Sequence, residues 1–299
     1  MTEIVCPGWP ASWVNAWLAA VGATVLDERI RLRWTTDAEP VAVLSSGGIG
    51  PVAALVKSWP DADALSQLPI AEDWQGLTRL QRKVPVEVFA ARAQAARSHK
   101  RSWTLSSTMT DLSVDRSGEV AHAPFDPAGP GTIKWLHHRL LKVHGHLEDP
   151  AARLQESLAG EADRVKDNGL GFDQTRLGSL QDATDPWVDP IVEVLAFFGL
   201  ALLPVRGRGE DNRLDQTVGV SARQRGWEQA DGRRVRRSFH WPAWSQQLDS
   251  DSIDALLDIW NPERKNVWAR LGVHAAWRSV LFERRSSADS TRAIGSERL

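Results

Sequence analysis

The chain has 299 residues, 42% of them hydrophobic and 25% charged, the composition of an ordinary globular protein long enough for one large domain or two lobes. A formal net charge of −2 excludes a globally basic nucleic-acid binder, so any phosphate-binding surface must be local. The single cysteine, Cys6, excludes an intramolecular disulfide and a multi-cysteine zinc site and fits a reducing cytosol.

Met1-Thr2-Glu3 leads into no basic run followed by an apolar core, so no secretory signal is expected, and Cys6 is expected near a loose terminus. Pro10-Ala11-Ser12 precedes Trp13, Trp17, Leu18 and Val21, which are spaced as one helix face, with Ser12 as the N-cap. Residues 29–34 and 40–45 alternate as strands do. Ser46-Gly47-Gly48-Ile49-Gly50-Pro51 then turns into a helix near 52–59, with Pro51 suited to the first turn. Residues 85–98 read as helix, and 103–122 as two strands around Asp115-Arg116-Ser117-Gly118. A loop over 124–130 leads to a helix from 132 to 143.

The polar, glycine-containing stretch 161–186 reads as a connector between an N-terminal lobe, 1–160, and a C-terminal lobe, 187–285. Ile191–Val205 is the longest apolar stretch, broken by Glu193 and Pro204. It is too short to span a bilayer and reads as a buried core helix. Residues 216–229 and 233–241 flank Asp231-Gly232, a two-residue turn signal, and read as a hairpin. Helices over 250–259 and 262–284 close the fold, and the polar tail 286–299 is expected to fray. Helices and strand pairs mix without strict βαβ alternation, so the expected class is α+β.

One phrase occurs twice. Leu18–Leu26 reads LAAVGATVL and Leu195–Leu203 reads LAFFGLALL, 177 residues apart, with Gly22 and Gly199 in register. Ile30-Arg31-Leu32-Arg33-Trp34 follows the first copy and Pro204-Val205-Arg206-Gly207-Arg208 the second. Two related helix–strand units in one core are expected.

The candidate chemistry lies beyond the second copy. Pro204 to Trp241 holds nine Arg and five acidic residues, a local charge of 9 − 5 = +4. All its cations are arginine, whose planar fork suits phosphate oxygens. The candidate nucleic-acid-binding residues are Arg206, Arg208, Arg223, Arg225, Arg233, Arg234, Arg236, Arg237, Trp227 and His240. A period of two puts Arg234, Arg236, Ser238 and His240 on one strand face, with Val235, Arg237, Phe239 and Trp241 on the other. Such a hairpin either tracks a nucleic-acid backbone or is a solvated edge strand protected by charge. A second basic group, Arg264, Lys265, Arg270, Arg278, Arg284 and Arg285, accompanies Trp268 and Trp277 on the last expected helix. It reads as an amphipathic surface helix or a docking face.

Signals for catalysis are incomplete. His137, His138, His144 and His146 cluster near Glu148 and Asp149, but His137 and His144 lie two turns apart, too far for one ion without a bend at Gly145. The Ser45–Gly50 loop and the Gly129–Lys134 run lack the lysine–hydroxyl ending of a Walker loop, and no Gly-x-Ser-x-Gly elbow appears. Cys6 is a weak candidate nucleophile. No catalytic residue, metal or cofactor is expected, and the chain reads as a scaffold or binding protein rather than an enzyme.

Several phrases carry a family resemblance. Pro10–Leu26 with WLAAVGATVL followed by IRLRW, Leu170-Gly171-Phe172-Asp173 with Arg176, VEVLAFFGLALLPV over 192–205, and FHWPAW over 239–244 with Leu248 resemble the large-subunit-like and helicase-extension families of type I-G (formerly I-U) CRISPR systems. The resemblance implies a cytoplasmic prokaryotic protein, with CRISPR effector subunits, CRISPR RNA, target DNA and the helicase-nuclease as partners. In such complexes base pairing reads sequence, while protein reads backbone and a short flanking motif. The chain is short for a full large subunit. Two other readings stand beside this one. The first is a CRISPR RNA-processing ribonuclease using His240 or the His137–His146 group. The second is a protein–protein adaptor using the tryptophan-rich terminal helices, without nucleic-acid contact.

Overall fold

The computed structural model describes residues 1–66, 83–87, 90, 109–114, 118–122, 133–167, 169, 187–203, 205–207, 222–224, 227–229, 237–281 and 294–299. Its class is α+β, with helices packed on antiparallel sheets.

The repeated phrase builds the centre. Helix α1, Val14–Leu26, is buried at every residue, as befits a helix apolar all round. It begins one residue later than expected: Trp13, not Ser12, is the N-cap and makes no side-chain cap, while Trp17 N–H donates to Trp13 O at 2.9 Å. The second copy forms a helix over Pro190–Gly199, followed by a 3₁₀ turn over Leu200–Leu202. Pro190 fills its first position and the Asp189 carboxylate accepts from Ile191 N–H at 3.0 Å.

These two helices cross at their shared glycines. A Cβ on Gly22 would lie 1.8 Å from the Leu195 carbonyl oxygen, and one on Gly199 would lie 2.2 Å from the Leu18 carbonyl oxygen. Leu18 and Leu195 are themselves equivalent in the repeat, so the contact is reciprocal. Only glycine lets the two backbones approach this closely.

Around α1 lies the first sheet: β1 (Thr2–Pro10), β2 (Ile30–Trp34) and β3 (Val41–Ser46), in the order β1-β3-β2. β3 is antiparallel to both neighbours, with Val5 opposite Val43 and Leu32 opposite Leu44. β1 and β2 therefore run parallel as a split β-α-β unit. With α2 (Pro51–Ser58) the order becomes β-α-β-β-α, as in ferredoxin-like units. The expectation of a loose terminus is corrected. Cys6 faces the core, Trp9 is buried, and the Trp9 indole N–H donates to Ser157 Oγ at 3.0 Å. Pro7 and Gly8 hide this strand in the sequence, and its register shifts between Cys6 and Pro10.

A short helix, α3 (Ala62–Ser66), leads to a three-stranded sheet of β4 (Lys83–Pro85), β5 (Met109–Val114) and β6 (Glu119–His122), in the order β4-β6-β5. The strand pair expected around Asp115–Gly118 is thus present. The helix expected from residue 85 is preceded by a strand at that point, and most of 88–98 lies outside the described residues. Helices α4 (Ile133–His144) and α5 (Pro150–Ala159) follow, then β7 (Val165–Lys166) and β8 (Trp187–Val188), and then the second-repeat helix, α6 (Pro190–Gly199).

The last sheet differs most from expectation. Strands β11 (Trp227–Gln229), β12 (Arg237–Trp244), β13 (Val273–Leu281) and β14 (Ile294–Arg298) lie in that order, all antiparallel. Helix α7 (Ser250–Ile259) is where expected, capped by Asp249 accepting from Ser252 N–H at 2.9 Å. The helix expected over 262–284 is only α8, Lys265–Trp268, with a 3₁₀ turn over Ala269–Leu271. Gly272, at φ 70, stops it, and β13 then pairs Trp277 with Trp241. The C-terminal tail does not fray throughout: Trp277 lies opposite Arg298, whose guanidinium sits 5.9 Å from the Trp277 ring centroid.

Tryptophans tie the ends together. Trp17 Nε1 donates to Pro242 O at 2.8 Å, Trp241 Nε1 to Ala11 O at 2.7 Å, and Trp244 Nε1 to Leu32 O at 3.0 Å. A bridge between Leu32 and Leu248 ties the first sheet to the segment between β12 and α7. One apolar cluster runs from Cys6 to Trp277, so the expected N- and C-terminal segments share a core. Among the described residues no helix is long and apolar enough to cross a membrane.

Candidate functional site

The arginine-rich segment enters the fold directly from α6. Strand β9, Val205–Gly207, pairs antiparallel with β10, Ala222–Gln224, and the register sets Arg206 opposite Arg223. The single strand expected over 216–229 is instead divided. β10 pairs with β9, while β11 pairs with β12, placing Trp227 opposite Phe239 and Gln229 opposite Arg237. A two-residue turn at Asp231-Gly232 would have set Gln229 opposite Arg234. The observed register sets Gln229 opposite Arg237 instead, with buried Phe239 opposite Trp227. Arg208, Arg225, Arg233, Arg234 and Arg236 lie outside the described residues, whereas Arg206, Arg223, Trp227 and Arg237 are placed by their strands.

His240 requires a correction. It is 8% exposed and lies opposite Arg278 on β13, so it does not stand on an open face. Burial, with Arg278 adding repulsion, pushes its imidazole down to about 4, so it is neutral at neutral pH. β12 is an interior strand, not the charge-protected edge strand of the alternative reading. From Phe239 to Trp244 both of its faces are covered, including His240 and Pro242.

His144 and His146 serve as ties. His144 Nε2 lies 2.9 Å from Pro60 O, and His146 Nε2 lies 3.3 Å from Asp167 Oδ2. Lys142 Nζ reaches the same Asp167 oxygen at 2.8 Å. Burial alone would raise the Asp167 carboxyl, but hydrogen bonds from Lys142, Gly169 and His146 hold it below the ordinary value. The side chains of His137 and His138 lie outside the described residues. Among the described residues no group of three His, Cys, Asp or Glu side chains could hold a metal ion. Cys6 is buried with its thiol pushed up to about 12, which corrects its candidacy as a nucleophile. The C-terminal basic residues do not share one helix: Lys265 lies over Trp268 at 5.8 Å, and Arg278 pairs with Glu297 at 2.7 Å.

Two polar constellations escaped the sequence reading. On the outer face of the first sheet, Arg33 reaches Glu3 at 3.0 Å, Gln247 donates to Glu3 at 2.8 Å, and Ser45 Oγ donates to Gln247 at 2.9 Å. Arg31 pairs with Asp249, which Ser252 and then Arg31 hold down to about 2. The alternation of IRLRW did put Arg31 and Arg33 on one face, but their acidic partners are remote in sequence. The second constellation is buried: Asn15 donates to Glu193 between α1 and α6, and Ser157 Oγ donates to Asp189 at 2.5 Å.

The arginines of the first repeat unit are paired with acids: Arg29 binds Asp27 at 2.5 Å, Arg31 binds Asp249 and Arg33 binds Glu3. In the second, the register brings one arginine opposite another. No family model, curated protein or solved structure matches the chain.

Proposed function

We propose that this chain is a non-catalytic, nucleic-acid-contacting subunit of a CRISPR RNA-guided DNA surveillance effector of the Cascade type. In that role it assists target-DNA binding and recruitment of the helicase-nuclease. The observation that carries the reading is the register of β9 and β10, which sets Arg206 opposite Arg223 within a segment of charge +4. Like charges directly opposite one another destabilise a strand pair. A phosphate between them offsets that repulsion, and guanidinium forks suit its oxygens. The resemblance of Pro10–Leu26 and of residues 192–205 to type I-G families supplies the biological setting: a cytoplasmic complex with CRISPR RNA, target DNA and other effector subunits. Phosphate contacts position such a protein on nucleic acid, while base pairing carries sequence specificity.

The test is a binding titration of the full chain with single-stranded RNA and double-stranded DNA over a range of salt. Arg206→Glu with Arg223→Glu is expected to weaken binding across sequences and to reduce the slope of log affinity against log salt by about two. Unchanged affinity and slope would overturn the reading.

A further inference from the structure

The segment from Asn261 to Gly272, which joins α7 to β13, carries Arg264, Lys265 and Arg270 against one acid, Glu263, a local charge of 3 − 1 = +2. All three cations are exposed, and none meets a carboxylate among the described residues. Elsewhere Arg29, Arg31, Arg33, Lys142, Arg153 and Arg278 are each paired with an acid.

The segment is held firmly from beneath. Trp260 and Trp268 are buried, with ring centroids 6.0 Å apart. Trp268 Nε1 donates to Asn261 O at 3.0 Å, and Arg264 N–H donates to the same oxygen at 3.2 Å. Asn261 Oδ1 accepts from Glu263 N–H at 2.8 Å. At the far end Gly272 N–H donates to Ala269 O at 3.1 Å, and Gly272 O accepts from Ser245 N–H at 3.0 Å, just past β12. Helix α8 is too short to be stable by itself, so the buried tryptophan and these bonds fix it. Lys265, Asn266, Ala269 and Arg270 are exposed along it, while Trp268 is buried and Leu271 packs against the core. A backbone fixed in this way lowers the entropy lost when a ligand binds.

Guanidinium and ammonium groups with no carboxylate beside them suit phosphate oxygens. Lys265 Nζ lies 5.8 Å from the Trp268 ring centroid, and Trp268 is 8% exposed, so this ring is not offered for base stacking. The contact is therefore with phosphate, not with bases. The basic surface is also narrow. It does not continue onto α7, which exposes Asp251 and Asp258, and three cations fall short of the cluster of about 4–8 that holds an anionic bilayer. A nucleic-acid backbone can meet three cations alone.

We propose that Arg264, Lys265 and Arg270 form a second phosphate-contacting surface, which holds a nucleic-acid backbone independently of Arg206 and Arg223. The proposal rests on the nucleic-acid reading above. Each cation displaces condensed counterions from a phosphate, so the contact is independent of sequence and sensitive to salt.

The test is a titration of the full chain with single-stranded RNA and double-stranded DNA of several sequences over a range of salt. Arg264→Gln, Lys265→Gln and Arg270→Gln together are expected to weaken binding to every sequence by about tenfold or more. The slope of log affinity against log salt is expected to fall by about two to three. Arg264→Lys with Arg270→Lys keeps the charge and is expected to keep the slope. Lys57→Gln removes another exposed lysine, on α2, that meets no acid among the described residues, and is expected to bind as the wild type does. All three substituted residues are exposed, so the melting temperature of the triple variant is expected to stay at the wild-type level. A triple variant that binds like the wild type, while Arg206→Glu with Arg223→Glu binds weakly, would overturn this surface and leave the proposed function standing. A wild-type chain that binds neither nucleic acid would overturn both. An equal loss per charge in Lys57→Gln would reduce the effect to net charge and overturn the surface as well.

Discussion

Replacing Gly22 by alanine tests the helix crossing at its tightest point. The new methyl would sit 1.8 Å from the Leu195 carbonyl oxygen, and the obstruction is backbone, so no side chain can swing away. The helices must part by more than 1 Å (roughly), and overpacking of this kind costs about 3 kcal/mol or more. Alanine returns about 1 kcal/mol of helix propensity over glycine. The net loss is about 2 kcal/mol or more, which lowers the melting temperature by about 3 °C or more for a chain of this size. Urea unfolding followed by tryptophan fluorescence measures it. Gly199→Ala, whose methyl would meet the Leu18 carbonyl at 2.2 Å, is expected to act alike. The double variant should lose less than the sum, because one separation accommodates both methyls. Gly47→Ala is the control: its Cβ would meet nothing within 4 Å. A Gly22→Ala protein within about 0.5 kcal/mol of the wild type would refute the close crossing.

Further outcomes follow from buried groups. His240 is held at about 4 when folded against 6.5 when free, so the unfolded chain binds more protons between those values. Its contribution to stability is complete above pH 6.5 and declines as pH falls towards 4. Urea midpoints across that window should fall less steeply in His240→Gln, and an unchanged slope would remove His240 as a cause. Asp249, held at about 2, adds stability that is present above its unfolded value near 3.8 and lost as pH falls towards 2. Asp249→Asn should flatten acid unfolding in that lower window. The Cys6 thiol, buried and pushed up to about 12, should resist thiol reagents at pH 8 until the chain is unfolded, and rapid native labelling would contradict its burial.

What the sequence disclosed depended on how local the determinants were. The two repeat helices were legible because apolar residues surround Gly22 and Gly199 on every side, and β2 because Arg31 and Arg33 alternate with Ile30, Leu32 and Trp34. β13 was misread as helix because its strand character depends on β12, whose Trp241 lies opposite Trp277. β1 was missed for a similar reason, its partner β3 lying some forty residues away while Pro7 and Gly8 interrupt its pattern. For the candidate site, the period of two rightly grouped Phe239 with Trp241, but it assumed that the opposite face was open. β12 instead lies between two strands and is buried from Phe239 to Trp244, His240 included. The clamp on Asp167 joins residues from α4 and the connector, and no local pattern announces it.

The central claim is participation in an RNA-guided effector. Affinity purification of the tagged chain from its native host, with identification of co-purified proteins and sequencing of co-purified RNA, tests it most directly. The expected result is a set of CRISPR effector subunits together with short RNAs sharing a repeat-derived end. Unrelated protein partners with no discrete RNA would contradict it.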